Sequence, residues 1–239
     1  MSLHLLRLQP PPAVLTAWAT RHGVLSPDGD YGYAFHALLR AAFGERSPKP
    51  FRYLGERQGL LAYTPQSLET LRQNAALAAP DVARALGLDE LDARRFPSDW
   101  ATGREVGFEV RVRPVIRATD GRERDAFLHA VESGASGDDA GGPAQRERIY
   151  LDWLTRQLAV DGAAQILDAR LQAFRLTRVL RKDNGGENGK RKASGSSGPD
   201  AVFQGRLRVG AGAAFARLLA RGVGRHRAFG FGMLLLRPC

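Results

Sequence analysis

The spacing of apolar and polar positions changes period several times along the chain, and each change marks a predicted element. Leu3–Leu8 (LHLLRL) is a short apolar run halted by prolines 10–12, which predicts a strand. Ala13–His22 has helical spacing, SPDGD at 26–30 forms a turn, and helical spacing resumes over Tyr33–Phe43 with Phe35, Leu38, Leu39, Ala42 and Phe43 on one stripe. Phe51–Leu54 and Leu60–Tyr63 predict a hairpin around GERQG. Pro65-Gln66-Ser67 opens another helix, with Ser67 placed to cap it and Glu69 in its first turn, and a strand follows near Leu91–Phe96.

The second half repeats that order. Val106–Ile116 (VGFEVRVRPVI) alternates, with Phe108, Val110 and Val112 on one face and Glu109, Arg111 and Arg113 on the other. Gly134–Gly142 is a predicted loop, Ala144–Leu158 a helix and Ile166–Leu180 a long strand. The tract Arg181–Pro199 has little to bury and is expected to be a mobile loop, its Lys190-Arg191-Lys192 a flexible arm. Ala201–Val209, Ala211–Ala220 and Ala228–Leu236 complete a strand, a helix and a strand. Both halves therefore read β-α-β-β-α-β, which predicts an α+β chain of two tandem ferredoxin-like, RRM-like domains, residues 1–99 and 100–239.

Composition narrows the partner. The 239 residues are 44% hydrophobic, enough for a core, and carry a formal net charge of +10. A surplus of that size favours a polyanion, with nucleic acid ahead of an anionic membrane surface. A high-GC genome would explain arginine in place of lysine, but not the surplus itself. Cys239 is the sole cysteine, so neither a disulfide framework nor a thiolate metal site is expected. No run approaches the roughly 18 apolar residues of a membrane helix, and MSLHLLRLQPPP is too short in apolar residues for a signal peptide, so a cytoplasmic location without membrane partners is the expectation.

The segment Arg221–Gly232 (RGVGRHRAFGFG) carries the most chemistry. Glycines let a backbone approach a phosphate, and arginines supply planar donors that match its oxygens. Arg227 stands where a dinucleotide fingerprint has its third glycine, and no G-K-[ST] follows to make a P-loop. The blander alternative is a helix C-cap at Gly222 followed by a glycine-softened edge strand; three basic residues, Arg225, His226 and Arg227, weigh against it. Arg227–Gly232 also approaches the RNP1 pattern of RNA-recognition motifs, though at the end of the chain rather than on an interior strand.

Four stretches together carry a resemblance: GVGRHRAFGFGMLLLRP at 222–238, the opening LHLLRL, DYGYAFHALLRAAFG at 30–44 and GFEVRVRPVIR at 107–117. On these, in order along nearly the whole chain, the sequence resembles the CRISPR repeat-processing endoribonucleases, in particular the CasE subgroup of type I-E systems. The resemblance implies two ferredoxin-like domains and metal-independent cleavage of a stem-loop repeat RNA without a cofactor. In that reaction a ribose 2′-OH attacks the adjacent phosphorus and leaves a 2′,3′-cyclic phosphate and a 5′-OH. It also implies retention of the cut RNA and assembly with other subunits of a Cascade-type complex.

Such chemistry needs a proton-transfer group, for which histidine is suited, and cations facing the crowded phosphorane. Of the five histidines, His4, His22, His36, His129 and His226, only His36 follows a tyrosine at i+3, which sets Tyr33 and His36 on one helix face. Matched to the family, His36 falls on the catalytic histidine, as general acid or base, and Tyr33 on its partner, orienting phosphate or nucleophile. Packing of His36 between Phe35 and Leu39 is the alternative. His226 ranks second, as a phosphate contact. No histidine or carboxylate spacing makes a metal set. Arg111, Arg113 and Arg117 on one strand, and Arg175, Arg178, Arg181 and Lys182 on another, are candidates to track the RNA backbone; the glycine segment adds Gly222, Gly224, Gly230 and Gly232. The resemblance departs at Arg227, where a lysine is common, and at the insert 183–199. Two other readings compete: a stem-loop binder that does not cut, and a reader of double-stranded RNA shape.

Overall fold

The computed structural model describes residues 2–117, 121–134, 142–182 and 193–239, with side chains of 179–182 and 193–196 excepted. The first half runs β1 (Leu3–Leu8), α1 (Pro12–Arg21), α2 (Gly32–Phe43), β2 (Phe51–Tyr53), β3 (Leu60–Thr64), α3 (Leu68–Ala75), α4 (Pro80–Leu86) and β4 (Asp92–Phe96). Its sheet has the order β2-β3-β1-β4, antiparallel throughout, with Leu6 facing Ala62 on one side and Ala93 on the other. The alternating residues Leu6 and Leu8 turn inward against Leu15 of α1 and Phe35, Leu38 and Leu39 of α2. The predicted stripe of α2 is thus its buried face. Ser67 caps α3 by accepting the N–H of Thr70, as its position implies.

The second half runs β5 (Glu105–Val112), β6 (Val115–Arg117), β7 (Glu123–Asp125), α5 (Ala126–Glu132), α6 (Pro143–Leu158), β8 (Ala164–Lys182), β9 (Ala193–Val209), α7 (Gly212–Arg221) and β10 (Leu234–Arg237). The sheet order β10-β5-β9-β8 repeats that of the first sheet. Both halves are ferredoxin-like, the second carrying the β6–β7 hairpin and α5 as an insertion. Phe108, Val110 and Val112 point into its core with Phe203, Leu207, Phe215 and Trp153. That core also takes in Leu3 and Tyr63 of the first sheet, and the Tyr63 hydroxyl donates to the Leu234 carbonyl at 3.0 Å. The two halves are therefore packed together.

Three expectations need correction. The run VGFEVRVRPVI is two strands, because Pro114 has no N–H for the ladder and the chain turns there, Val115 N–H donating to the Arg113 carbonyl at 2.8 Å. The polar tract 181–199 is not a loop where it is described: β8 reaches Lys182, and β9 begins at Ala193, pairing Arg181 with Ser194 and Thr177 with Gly198. A ladder satisfies backbone groups whatever the side chains, so poverty in apolar residues did not preclude it. Residues 183–192, including the Lys190–Lys192 arm, and 135–141 of the predicted loop lie outside the described residues. Because β5 pairs with β9 only as far as Ala201, the far part of β8–β9 projects as a two-stranded ribbon. Finally, the last strand is only Leu234–Arg237; residues 222–233 form a loop with a short 3-10 turn at Arg227–Phe229, so the RNP1-like run is not on a strand.

Candidate active site

The exposed side of α2 meets the glycine segment. Tyr33 and His36, one turn apart, have ring centroids 6.0 Å apart, and both are partly exposed. Phe229 lies parallel to Tyr33, at 6.0 Å with 8° between planes, and 5.0 Å from the His36 ring. Phe229 sits on a short 3-10 turn, Arg227–Phe229, entered through His226 at φ 59° and left through Gly230 at φ 84°. The approach is close: a Cβ on Gly32, the first residue of α2, would collide with the Phe229 carbonyl. The loop folds back on itself through Val223 N–H to the Gly232 carbonyl at 2.8 Å. Gly232 has φ 78° and a Cβ there would run into the Val223 carbonyl, so position 232 admits only glycine without rearrangement. Gly222 does cap α7, its N–H bonded to the Leu218 carbonyl, and it is followed by this loop rather than by an edge strand.

Cations gather around the ring cluster. Lys49, Arg221, Arg225 and Arg227 line a groove of about 470 Å³ together with His226 and Phe229. Burial, then the neighbouring Arg221 and Arg225 charges, hold the Arg227 guanidinium below its ordinary pKa. Glu123 of β7 engages Arg225 (2.9 Å) and His226 (2.6 Å). An anion in this groove would relieve the remaining like-charge repulsion. Burial first, then the charges of Arg40 and Lys49, also lower the His36 pKa, which favours neutral imidazole at pH 7.

The predicted site residues divide into groups. Tyr33 and His36 meet Phe229, and Arg225 and Arg227 line the groove beside that ring; of the loop glycines, Gly230 and Gly232 shape this turn, while Gly222 lies against Pro50 and Gly224 against Trp153. His226 joins them but is nearly buried against Glu123, 7% exposed, so it fixes the loop on β7. Arg111 and Arg113, expected to track the RNA backbone, are instead buried at 9% and 3% exposure. The reason is that Asp200, Asp30 and the ring of Phe231 cover Arg111, while Arg113 donates to the Thr177 carbonyl at 3.3 Å. Arg117 stands on β6 and lines, with Arg124 and Arg225, a second groove of about 920 Å³. Arg178 is exposed on the β8–β9 ribbon, away from the ring cluster's lining, and the Arg181 side chain is outside the described set. Sequence reasoning missed Lys49, set between Pro48 and Pro50 in a segment with no periodicity, and did not single out Phe229, which was visible only as part of the RNP1-like run. Among the described residues, no three His, Cys, Asp or Glu side chains form a group able to hold a metal ion, and no helix is long and apolar enough to cross a membrane.

No curated protein sequence matches the chain significantly. Among solved structures, the fold is similar to the CRISPR endoribonuclease Cse3 bound to a 19-nucleotide RNA, with a TM-score of 0.65 and 19% identity over 99% of this chain and 98% of that one. It is similar to Thermus thermophilus Cse3 bound to an RNA representing a pre-cleavage complex, with a TM-score of 0.60 and 18% identity over 100% of both chains. A chain of a CRISPR RNA-guided surveillance complex in a pre-nicking state shares it too, with a TM-score of 0.53 and 15% identity over 99% of this chain and 100% of that one. At these identities the likeness is one of fold. The sequence profile described as CRISPR associated protein matches residues 3–238, almost the full length, and the chain therefore belongs to that family.

Proposed function

We propose that this protein is an endoribonuclease that cuts precursor CRISPR RNA within the repeat stem-loop without a metal ion. It then keeps the product and joins a Cascade-type complex. The observation that carries this reading is the meeting of Tyr33 and His36 with Phe229 beside the groove lined by Lys49, Arg221, Arg225 and Arg227. Family membership and the fold shared with RNA-bound Cse3 support it.

In the reaction the 2′-oxygen bonds to the adjacent phosphorus as the bond to the 5′-oxygen breaks. The 2′-OH proton leaves to a base and the departing 5′-oxygen gains one, giving a 2′,3′-cyclic phosphate and a 5′-OH. His36 in its neutral form takes the 2′-OH proton, and Tyr33 orients the phosphate. The groove cations stabilise the charge that gathers on the phosphorane oxygens, where preorganised donors count most. Arg117, Arg178 and Arg181 track the RNA backbone outside this centre, whereas Arg111 and Arg113 belong to the frame beneath it. Gly222, Gly224, Gly230 and Gly232 shape the loop that presents the cations.

Cleavage of the repeat RNA is expected to continue at full rate in excess EDTA; an absolute need for a divalent ion would contradict the reading. The pH profile of kcat/KM, which reports the free enzyme, is expected to rise with pH and level off, with a midpoint below the ordinary histidine value of 6.5. The sign follows from the lowered pKa: the base-competent neutral imidazole forms as pH rises through that midpoint. A profile that falls through the same midpoint would instead give His36 the task of protonating the 5′-oxygen.

A further inference from the structure

Arg111 closes a ring of four charges between the two halves of the molecule. Its Nε and Nη2 donate to the two carboxylate oxygens of Asp200 at 2.7 and 2.6 Å, and Nη2 also donates to Asp30 Oδ2 at 2.6 Å. Arg175 completes the ring, its Nε donating to Asp200 at 2.9 Å and its Nη2 lying 3.6 Å from Asp30. Asp30 Oδ1 accepts the N–H of Gly32, the first residue of α2, at 2.8 Å. On its other side Arg111 holds the glycine loop: its carbonyl accepts the Gly232 N–H at 2.7 Å, and its guanidinium lies 4.3 Å from the centre of the Phe231 ring. The loop before α2 is fastened again to the β8–β9 ribbon, where Asp28 accepts the Arg178 N–H at 2.7 Å and Ser26 donates to the Arg178 carbonyl at 3.0 Å. Accepting the Gly32 N–H uses only one oxygen of Asp30. The second reaches across to the other half, to Arg111.

We propose that Asp30 is a positioning residue for RNA cleavage: through Arg111 and Asp200 it locks the helix bearing His36 against the glycine loop. The inference rests on the reading of His36 as the proton-transfer group. Asp30 holds the N–H of Gly32, and His36 stands four residues further on, roughly 6 Å along the helix at 1.5 Å per residue, so Asp30 acts through the helix and not by touching the reacting atoms. Misplacement of a reacting group by about 1 Å can cost roughly a hundredfold in rate, which gives such a lock kinetic weight.

The test uses the full chain, single-turnover cleavage at saturating enzyme, and the affinity for a repeat RNA made uncleavable by a 2′-deoxy group at the cut. Asp30→Asn has a single amide oxygen, so with that oxygen kept on the Gly32 N–H it turns an NH2 donor toward Arg111. It is expected to slow cleavage by about ten- to a hundredfold while Kd stays within about threefold. Added to His36→Ala, it should change the residual rate by no more than about twofold, because two residues acting as one unit are not additive. Asp168→Asn, which breaks the exposed pair with Arg206, is expected to cut at the wild-type rate. If Asp30→Asn cuts normally while His36→Ala is inactive, or if it multiplies the His36→Ala defect as it does the wild-type rate, the positioning role is overturned and the His36 assignment stands. If His36→Ala cuts at full rate, the His36 assignment falls instead, and the inference with it. Should Asp30→Asn fail to fold, Asp30→Glu, which keeps the carboxylate but moves it one methylene from Arg111 and Gly32, carries the same cycle. About three- to tenfold slowing, again absent in the His36→Ala background, is expected, and unchanged cleavage overturns the proposal.

Discussion

Replacing His36 by alanine is expected to slow cleavage of the repeat RNA by roughly two to four orders of magnitude, the usual weight of a proton-transfer group. Binding should survive. The cations of the groove, Lys49, Arg221, Arg225 and Arg227, stand on elements other than α2, and the His36 ring is not what orders them. Its burial partners are Phe229 and Tyr33, which keep each other in place by their parallel contact. Alanine is also a better helix former than histidine, so α2 itself is not weakened by the change. The expected signature is therefore a fall in single-turnover rate with Kd for uncleavable RNA within a few-fold of the wild type. A variant that cuts at the wild-type rate would remove His36 from the reaction, and one that no longer binds would make it an RNA anchor.

Arg111→Ala is expected to destabilise the fold by about 3–5 kcal/mol, because it strips the buried partner from a charge network and leaves Asp200 and Asp30 only the exposed Arg175. The Arg111 and Asp30 side chains are each 10% exposed and that of Asp200 is 2% exposed, so water cannot replace the lost bonds. For a chain of this size a kilocalorie corresponds to about 2–4 °C, which puts the fall in Tm at roughly 6–20 °C. The deficit should depend on pH. Burial alone would raise the Asp200 carboxyl, but bonds and charges from Arg111 and then Arg175 hold it below its ordinary 3.8. A depressed carboxylate adds stability above its unfolded pKa, and that contribution disappears as pH falls through the folded value. Without Arg111 the carboxyl titrates higher, so the gap between variant and wild type is expected to be widest near pH 7 and to narrow in acid. Thermal melts at pH 7 and pH 4 check this; a pH 7 deficit below about 1 kcal/mol would mean the ring contributes no more than an exposed pair.

Much of the fold was legible because periodicity reports burial. The stripe Phe35, Leu38, Leu39, Ala42 and Phe43 became the buried side of α2, and Phe108, Val110 and Val112 became the inner face of β5. The same logic failed at Arg111 and Arg113. Alternation places a side chain on a face but does not reveal that an aspartate 89 positions away in β9, and another ahead of α2, arrive to cover it. It failed again at 193–199, where backbone pairing builds a ribbon from serine and glycine. At the site, the helix spacing of Tyr33 and His36 was readable and the charge of the glycine segment was readable, but their meeting through Phe229 was not. That contact depends on a close approach at Gly32 and on a helical turn where a strand was expected. Lys49 was invisible for a similar reason: it reaches the groove from a segment without a repeating pattern.

The central claim, that this chain cuts repeat RNA by 2′-OH attack at the α2–glycine-loop junction, is tested most directly by one single-turnover assay. Labelled repeat RNA is incubated with the protein in EDTA, beside a copy carrying a 2′-deoxy group at the cut, and the product ends are identified. The account predicts one cut that leaves a 2′,3′-cyclic phosphate and a 5′-OH, and no cut in the deoxy copy, which is bound as tightly. RNA that is bound and left whole, or cut to a 3′-OH end or cut despite the deoxy substitution, would contradict it.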